Sequence, residues 1–382
     1  MITAPSGFRA SGVAAGIKAS GGRDVALVVN DGPSDAVAAV FTSNRVQAAP
    51  VVWSRQVVAD GRARAVVLNS GGANACTGPD GFADTHATAE HVARALAVGA
   101  GDVVVCSTGL IGDRLPMAKL FVGVDAAVNA LADDGGDAAA DAIRTTDTVP
   151  KQASAHVDGW RVGGMAKGAG MLAPGLATML CVLTTDAVVP AASLDEALRA
   201  AVRVTFDRVD ADGCMSTNDT VVLMSSGASG LAPDPAEFAR AVQAVCADLA
   251  AQLLADAEGA TKEVAVTVCG AANEDDAVEV ARSIARNNLL KCALFGNDPN
   301  WGRVLAAIGT TKAAFEPDEL DVAMNGVMVC RQGAAGDSRG ECDLTGRRID
   351  IAVDLHAGVH SATVWTNDLS HAYVEENSAY SS

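Results

Sequence analysis

The stretch Lys167–Gly168–Ala169–Gly170–Met171–Leu172–Ala173–Pro174–Gly175–Leu176–Ala177–Thr178–Met179–Leu180–Cys181 joins a loop rich in glycine to a short apolar strand, with Thr178 at the junction. A threonine hydroxyl stays protonated at neutral pH and becomes a nucleophile only when a base lies close to it. Cleavage just before the threonine supplies that base, because the released α-amine titrates at about 7.7–8.0. The segment therefore indicates either a self-activating nucleophile or simply the first residue of a strand.

Short valine-rich runs alternate with helical patterns along the rest of the chain. Continuous apolar runs predict strands covered on both faces, and alternating runs predict half-exposed strands. The pattern predicts an α/β (α+β) fold with strands packed between helical layers, and the chain length favours two subdomains. The predicted strands are Val25–Asn30, Ala36–Thr42, Arg64–Asn69, Asp102–Cys106, Met179–Thr184, Glu263–Cys269, Ile349–Leu355 and Ser361–Thr366. The predicted helices are Ala83–Val98, one starting near Ser193, Pro235–Glu258 and Glu274–Asn287, and a surface loop is predicted at Asp133–Asp137.

The composition and net charge argue against several classes of binding partner and cellular location. A net charge of −18 over 382 residues argues against nucleic acid and anionic membranes as partners. The nine cysteines form no C-x-x-C pair, and the N-terminal residues do not resemble a signal peptide. We therefore expect reduced, buried thiols in a cytoplasmic protein, and no apolar run long enough to span a bilayer.

Common nucleotide, metal and triad motifs are not evident. The glycines around Lys167 match neither the phosphate-loop spacing nor G-x-G-x-x-G. His356 and His360 fall in a strand-like stretch, where they would lie about 13 Å apart, so no metal site is predicted. Ser107–Thr108–Gly109 follows a predicted strand and fits either a plain turn or a hydroxyl and amide pair that binds an oxyanion.

Several strings along the whole chain occur in the order expected for one family. The chain resembles the ornithine acetyltransferases, also called bifunctional glutamate N-acetyltransferases of arginine biosynthesis, which consist of two mixed α/β subdomains with stacked layers. The strings are Lys167–Asp186, Ser107–Gly112, Thr145–Asp147, Ser216–Thr220, Asp256–Gly259, Asp298–Arg303, Asp368–Ser370 and Glu376–Ser382.

The resemblance implies roles for individual residues. Thr178 would be the nucleophile, with self-cleavage between Ala177 and Thr178, and Thr108 and Gly109 would stabilise the oxyanion. The cut would give an alpha chain of residues 1–177 and a beta chain of residues 178–382. No roles are assigned to Asn218 and Asp219. The implied substrate contacts are Thr145, Lys167, Thr178, Glu258, Asn377 and Ser382.

The implied reaction moves an acetyl group from N-acetyl-L-ornithine to L-glutamate through an acetyl-threonine. It needs no metal or prosthetic group, and acetyl-CoA stays open as a second donor. The family implies two alpha and two beta chains. An N-terminal-nucleophile amidase or aminopeptidase would share the cleavage but release its product to water, and a non-catalytic binding protein would keep the fold alone.

Overall fold

The computed structural model describes residues 1–173 and 179–379. The strands are β1 Phe8–Val13, β2 Val25–Asn30, β3 Ala36–Phe41, β4 Ala65–Asn69, β5 Val103–Ser107, β6 Lys151–Val157, β7 Trp160–Lys167, β8 Leu180–Thr185, β9 Thr220–Ser225, β10 Glu263–Ala271, β11 Asp321–Met324, β12 Val327–Arg331, β13 Ala334–Ala335, β14 Arg348–Asp354 and β15 His360–Asn367. The helices are α1 Ala49–Val57, α2 Gly78–Leu96, α3 Met117–Asn129, α4 Gly136–Ala142, α5 Ala191–Val204, α6 Pro235–Ala255, α7 Glu274–Ala285, α8 Asn288–Phe295, α9 Trp301–Ile308 and α10 His371–Ala379.

Two mixed sheets pack face to face in the larger part of the molecule. One has the strand order β1-β2-β4-β5 and the other the order β3-β9-β8-β7-β6. Val28 and Leu68 of the first sheet share a core with Val182 and Met224 of the second. Because side chains alternate along a strand, the opposite faces of both sheets are left for helices.

Helices cover those outer faces and complete four layers. Leu27 and Val105 of the four-stranded sheet pack against α2 and α3. Leu183 of the five-stranded sheet packs against Leu198 of α5 and Leu249 of α6. The continuous valine-rich strands are therefore buried on both faces, as the sequence predicts.

A smaller unit follows α6. Its sheet has the order β13-β12-β11-β14-β10-β15, and its core contains side chains from α7, α8 and α9. The chain passes from the larger unit to the smaller one after α6, which ends at Ala255. This boundary differs from the predicted cut between residues 177 and 178. The predicted cut falls between β7 and β8, which pair antiparallel in the same sheet.

The predicted α/β class is confirmed, and most predicted elements lie within a few residues of the observed ones. Helix α2 begins at Gly78 instead of Ala83, because Pro79 suits the first turn of a helix. The loop predicted at Asp133–Asp137 ends early, since α4 starts at Gly136. The prediction that His356 lies in a strand is wrong: it follows the end of β14, with a left-handed φ of 50°.

Two expectations from composition need correction. Helix α6 has 21 residues, and an 18-residue window within it has a mean hydropathy of 1.3, enough by length and composition to cross a membrane. Leu249 and its apolar neighbours on α6 instead pack against the five-stranded sheet, as in the core helix of a soluble protein. All nine cysteines are free, as expected, but Cys76, Cys214 and Cys292 are exposed.

Candidate active site

Thr108 and Gly109 lie where β5 leaves the four-stranded sheet. The Thr108 amide donates to Asn69 O at 2.9 Å, and the Gly72 amide donates to Thr108 O at 3.0 Å. Gly109 has a φ of 133°, and a Cβ there would lie 2.7 Å from Gly72 N. A glycine is therefore required at 109, and the turn has a fixed conformation.

Lys167, the last residue of β7, contacts this turn directly. Its Nζ donates to Thr108 Oγ1 at 3.2 Å, and the two side chains belong to residues only 1% and 4% exposed. An ammonium that donates to a hydroxyl polarises it, so the Thr108 O–H becomes a better donor toward a third group. Two residues that the sequence assigns to different roles, oxyanion and substrate contact, are thus in direct contact.

Burial, assisted by the nearby Lys151 ammonium, lowers the pKa of Lys167 below its ordinary value, although Asp147, Asp219 and Glu258 act to raise it. These three carboxyl groups come from different parts of the chain and face one buried cation. The positive charge next to Thr108 therefore depends on the acidic side chains around it.

Asp147 connects the predicted residues Thr145 and Lys167, and sequence reasoning gave it no role. Its Oδ1 accepts from Gly168 N at 2.7 Å and from Lys151 Nζ at 2.6 Å, and its Oδ2 accepts from Thr145 N at 3.0 Å. Burial raises the pKa of Asp147, but Lys167 and Lys151 outweigh it and lower that pKa to about 2. One feature of the sequence could have indicated this role: Asp147 ends the string Thr145–Asp147 and precedes Lys151 by four residues.

Glu258 and Asn377 meet beside the loop that follows Lys167. Asn377 Nδ2 donates to Glu258 Oε2 at 3.0 Å, and the Glu258 amide donates to Ala169 O at 2.9 Å. A Cβ on Gly170 would lie 2.6 Å from Glu258 Oε2, so only glycine lets the carboxylate approach this closely. The adjacent cleft has a volume of about 530 Å³ and is lined in part by Glu258, Asp256 and Arg347.

Asn218, two residues before β9, supports the Thr108 turn. Its Nδ2 donates to Ser107 O at 2.8 Å and to Ala73 O at 2.6 Å. Sequence reasoning assigned no role to this residue, because the contact joins positions 111 residues apart. The neighbouring Asp219 accepts a hydrogen bond from the Met179 amide at 3.1 Å.

The structure thus brings Thr108, Gly109 and Lys167 together, and Asp147 links Thr145 to them. Glu258 and Asn377, which follow α6 and lie in α10, form a second group beside the loop that follows Lys167. The predicted residues Ala177, Thr178 and Ser382 lie outside the described residues. A polarised hydroxyl and a glycine at a strand end, beside a buried ammonium, form an arrangement that can stabilise a developing oxyanion.

Comparisons with known proteins identify the family. The ArgJ family pattern matches residues 9–382. The Arginine biosynthesis bifunctional protein ArgJ of Streptomyces avermitilis is 66% identical over 381 residues, which cover 100% of both chains. The protein of the same name from Thermobifida fusca is 67% identical over 380 residues, which cover 100% of this chain and 99% of that one.

Among solved structures, the ornithine acetyltransferase of Mycobacterium tuberculosis complexed with ornithine is 64% identical, with a TM-score of 0.45, over 47% of this chain and 95% of that chain. The family indicated by the sequence motifs is confirmed by the full-length relatives. The chain therefore belongs to the ArgJ family of bifunctional arginine-biosynthesis proteins.

Proposed function

We propose that this protein is the acetyltransferase that moves the acetyl group from N-acetyl-L-ornithine to L-glutamate in arginine biosynthesis. Family membership over the whole chain supports acetyl transfer in that pathway. The observation that carries the site assignment is the 3.2 Å contact between Lys167 Nζ and Thr108 Oγ1, next to Gly109. Acyl transfer passes through a tetrahedral oxyanion, and donors of this kind stabilise it.

Self-cleavage comes first in the proposed mechanism. The Thr178 hydroxyl attacks the Ala177 carbonyl carbon, the peptide C–N bond breaks, and an ester forms. Water hydrolyses that ester, which releases residues 1–177 and leaves a free α-amine on Thr178. This amine, with a pKa near 7.7–8.0, then serves as the base for the adjacent hydroxyl.

Acetyl transfer then proceeds in two halves. The Thr178 hydroxyl gives its proton to the α-amine and attacks the acetyl carbonyl carbon of N-acetylornithine. Ornithine leaves after its amine takes up the proton, and an acetyl ester remains on Thr178. The amine of glutamate attacks this ester, loses a proton and departs as N-acetylglutamate. Thr108 and Gly109 stabilise the oxyanion in both halves.

The two chains would stay together after the cut. In the described residues, β7 pairs with β8 from Val162–Thr185 to Lys167–Leu180, and β3 pairs with β9 over six residue pairs. Both ladders join the proposed alpha and beta chains within one buried sheet, which supports a stable unit of one alpha and one beta chain. We assign the doubled unit, two alpha and two beta chains, to the active protein.

The proposed chemistry uses no metal or prosthetic group, and acetyl-CoA would enter only as a second acetyl donor. We assign the protein to the cytoplasm, in agreement with its nine free cysteines. Lys167, Glu258 and Asn377, together with Thr145, Thr178 and Ser382, are the proposed substrate contacts. An amino-acid carboxylate suits the lysine, and the side-chain ammonium of ornithine suits Glu258.

The covalent acetyl carrier is tested by giving the purified protein N-acetylornithine without glutamate. The piece that begins with Thr178 should gain the mass of one acetyl group, and added glutamate should remove it as N-acetylglutamate. Initial-rate lines at several fixed glutamate concentrations should be parallel. Intersecting lines with no acetylated piece would contradict the covalent carrier. Release of free acetate with no acetylglutamate would instead identify the amidase alternative.

The oxyanion role of Thr108 predicts a large effect on turnover. Thr108→Val keeps the side-chain shape but deletes one donor, so kcat should fall by about 10²–10³. Thr108→Ser keeps the hydroxyl and is the matched control, with kcat expected to remain much closer to that of the wild type. A higher KM with unchanged kcat in the valine variant would contradict the oxyanion role, because it would show that Thr108 binds the substrate and the transition state equally.

A further inference from the structure

The loop between β1 and β2, residues 14–24, contacts the turn that carries the predicted substrate contact Thr145. Lys18 lies in this loop, and its Nζ donates to Arg144 O at 2.6 Å and to Arg23 O at 2.8 Å. Arg144 directly precedes Thr145, and it is 126 residues away from Lys18 in the sequence. Neither the sequence motifs nor the proposed mechanism gives Lys18 a role.

The peptide group between Arg144 and Thr145 is held at both of its polar atoms. Its carbonyl oxygen accepts from the Lys18 ammonium, and its N–H donates to Asp147 Oδ2 at 3.0 Å. A hydrogen bond with one charged partner is shorter and stronger than a bond between neutral groups. Because a peptide group is planar, two charged partners on its opposite edges fix its orientation, and with it the backbone that carries the Thr145 side chain.

The loop that carries Lys18 has a fixed conformation of its own. Asp24 is 0% exposed, and its Oδ1 accepts from the Ala15 amide at 2.6 Å. Its Oδ2 accepts from the amides of Ile17 at 2.6 Å and Lys18 at 3.0 Å. Ile17 packs against Gly71, where a Cβ would lie 2.0 Å from Ile17 Cγ2. Lys18 therefore reaches the Arg144 carbonyl from a backbone that is held in place.

Lys18 and Lys167 lie in the same charged surroundings. Burial lowers the pKa of Lys18 and the Lys167 ammonium acts in the same direction, although nearby carboxylates act to raise it. Asp147 joins the two regions, since it accepts from the amides of Thr145 and of Gly168, the residue after Lys167. A change at Lys18 is therefore transmitted to a part of the candidate site through a short series of hydrogen bonds.

We infer that Lys18 is a positioning residue, which orients the Arg144–Thr145 peptide group so that Thr145 meets the amino-acid substrate. This inference rests on the proposed role of Thr145 as a substrate contact. Lys18 acts through Thr145 and takes no part in the chemical steps. A contact that binds the substrate and the transition state equally affects KM and not kcat, so loss of the Lys18 ammonium should raise KM and leave kcat nearly unchanged.

The experiment is a double-mutant cycle of Lys18→Met and Thr145→Val, in which KM for N-acetylornithine is measured at saturating glutamate. Lys18→Met keeps the apolar part of the side chain but removes the ammonium, so KM should rise by about tenfold, as for loss of a hydrogen bond with a charged group. Thr145→Val should also raise KM. In the Thr145→Val background, Lys18→Met should have little further effect, because the contact that it orients is already absent.

Two further variants separate positioning from a general effect of charge or stability. Lys119 is exposed and donates to Gly16 O of the same loop at 2.8 Å, so Lys119→Met removes a comparable bond away from Thr145 and should leave KM unchanged. Lys18→Arg keeps a cation that can donate to the Arg144 carbonyl, and its KM should stay close to that of the wild type. The melting temperature of each variant reports whether it is folded. A merely structural Lys18 would change the melting temperature without this selective change in KM.

The outcomes distinguish the inference from the proposed function. An unchanged KM in Lys18→Met, with a raised KM in Thr145→Val, would overturn the role of Lys18 alone. Effects that multiply in the double variant would also overturn it, because Lys18 would then act independently of Thr145. A wild-type protein that transfers no acetyl group to glutamate would overturn the proposed function itself. If Lys18→Met does not fold, the neutral and shorter Lys18→Gln replaces it in the cycle and is judged by the same outcomes.

Discussion

The Thr178→Ala protein should remain a single chain of 382 residues and should show no acetyl transfer, whereas the wild type should separate into two pieces under denaturing conditions. The substitution removes the oxygen that attacks the Ala177 carbonyl and later carries the acetyl group. Both activities depend on that one atom, so both should be lost together. Intact-mass spectrometry should find one wild-type piece that begins at Thr178.

Thr178→Ser is the matched control for this prediction. Serine retains the hydroxyl, so the chain should still cut and should still become acetylated by N-acetylornithine. A wild-type preparation that stays uncut and is nevertheless fully active would contradict the α-amine as the base. An uncut Thr178→Ala chain with normal transfer would contradict the covalent carrier.

The strands were predictable because the burial of each strand face determines the pattern of apolar residues along it. A strand such as β2 faces a second sheet on one side and helices on the other, so Val25–Asn30 is almost continuously apolar. Strand β10 has one face away from the core, and the alternation of apolar and polar residues along it predicted a half-exposed strand. The face-to-face packing of the two central sheets was not predictable, because periodicity does not say what lies on each face.

The candidate site was predictable only in part. Motif resemblance named Thr108 and Lys167 separately, and their contact joins positions 59 residues apart. Asn218 and Asp219 belong to a string that resembles the family, but sequence reasoning assigned no role to either residue. Their hydrogen-bond partners include backbone atoms of Ser107 and Met179. Contacts to backbone atoms leave no pattern of residue types, so single-sequence reasoning cannot find them.

Loss of the Asp147 charge should give the largest effect on stability. Lys151 is fully buried and pairs with Asp147 and Asp256, each at 2.6 Å. Removing one partner of a buried ion pair costs about 3–5 kcal/mol, because the remaining charge stays in a region of low dielectric constant. Asp256 continues to pair with Lys151 in Asp147→Asn, so we expect the lower end of that range.

The measurement is the melting temperature of Asp147→Asn in the Thr178→Ala background, where a single chain avoids dissociation of the two pieces. For 382 residues, a loss of about 3 kcal/mol corresponds to a melting temperature lower by about 4 °C. Asp125→Asn is the control, because its contact with His91 at 2.7 Å is on the surface, where even a charged pair contributes only about 0–1 kcal/mol. Equal melting temperatures for the two variants would contradict a stabilising role for the ion pairs of Lys151 with Asp147 and Asp256.

The pH dependence gives an independent test of the same carboxylate. The pKa of Asp147 is about 2 in the folded protein and about 3.9 in an unfolded chain, so its stabilisation is present above pH 4 and is lost as the pH falls toward 2. A depression of this size corresponds to about 2–3 kcal/mol. The stability of the wild type should therefore decline more steeply between pH 4 and pH 2 than that of Asp147→Asn. Parallel declines would mean that Lys151 and Lys167 do not hold Asp147 in its ionised form. They would then contradict the interpretation that an ionised Asp147 accepts the hydrogen bonds from the Gly168 and Thr145 amides.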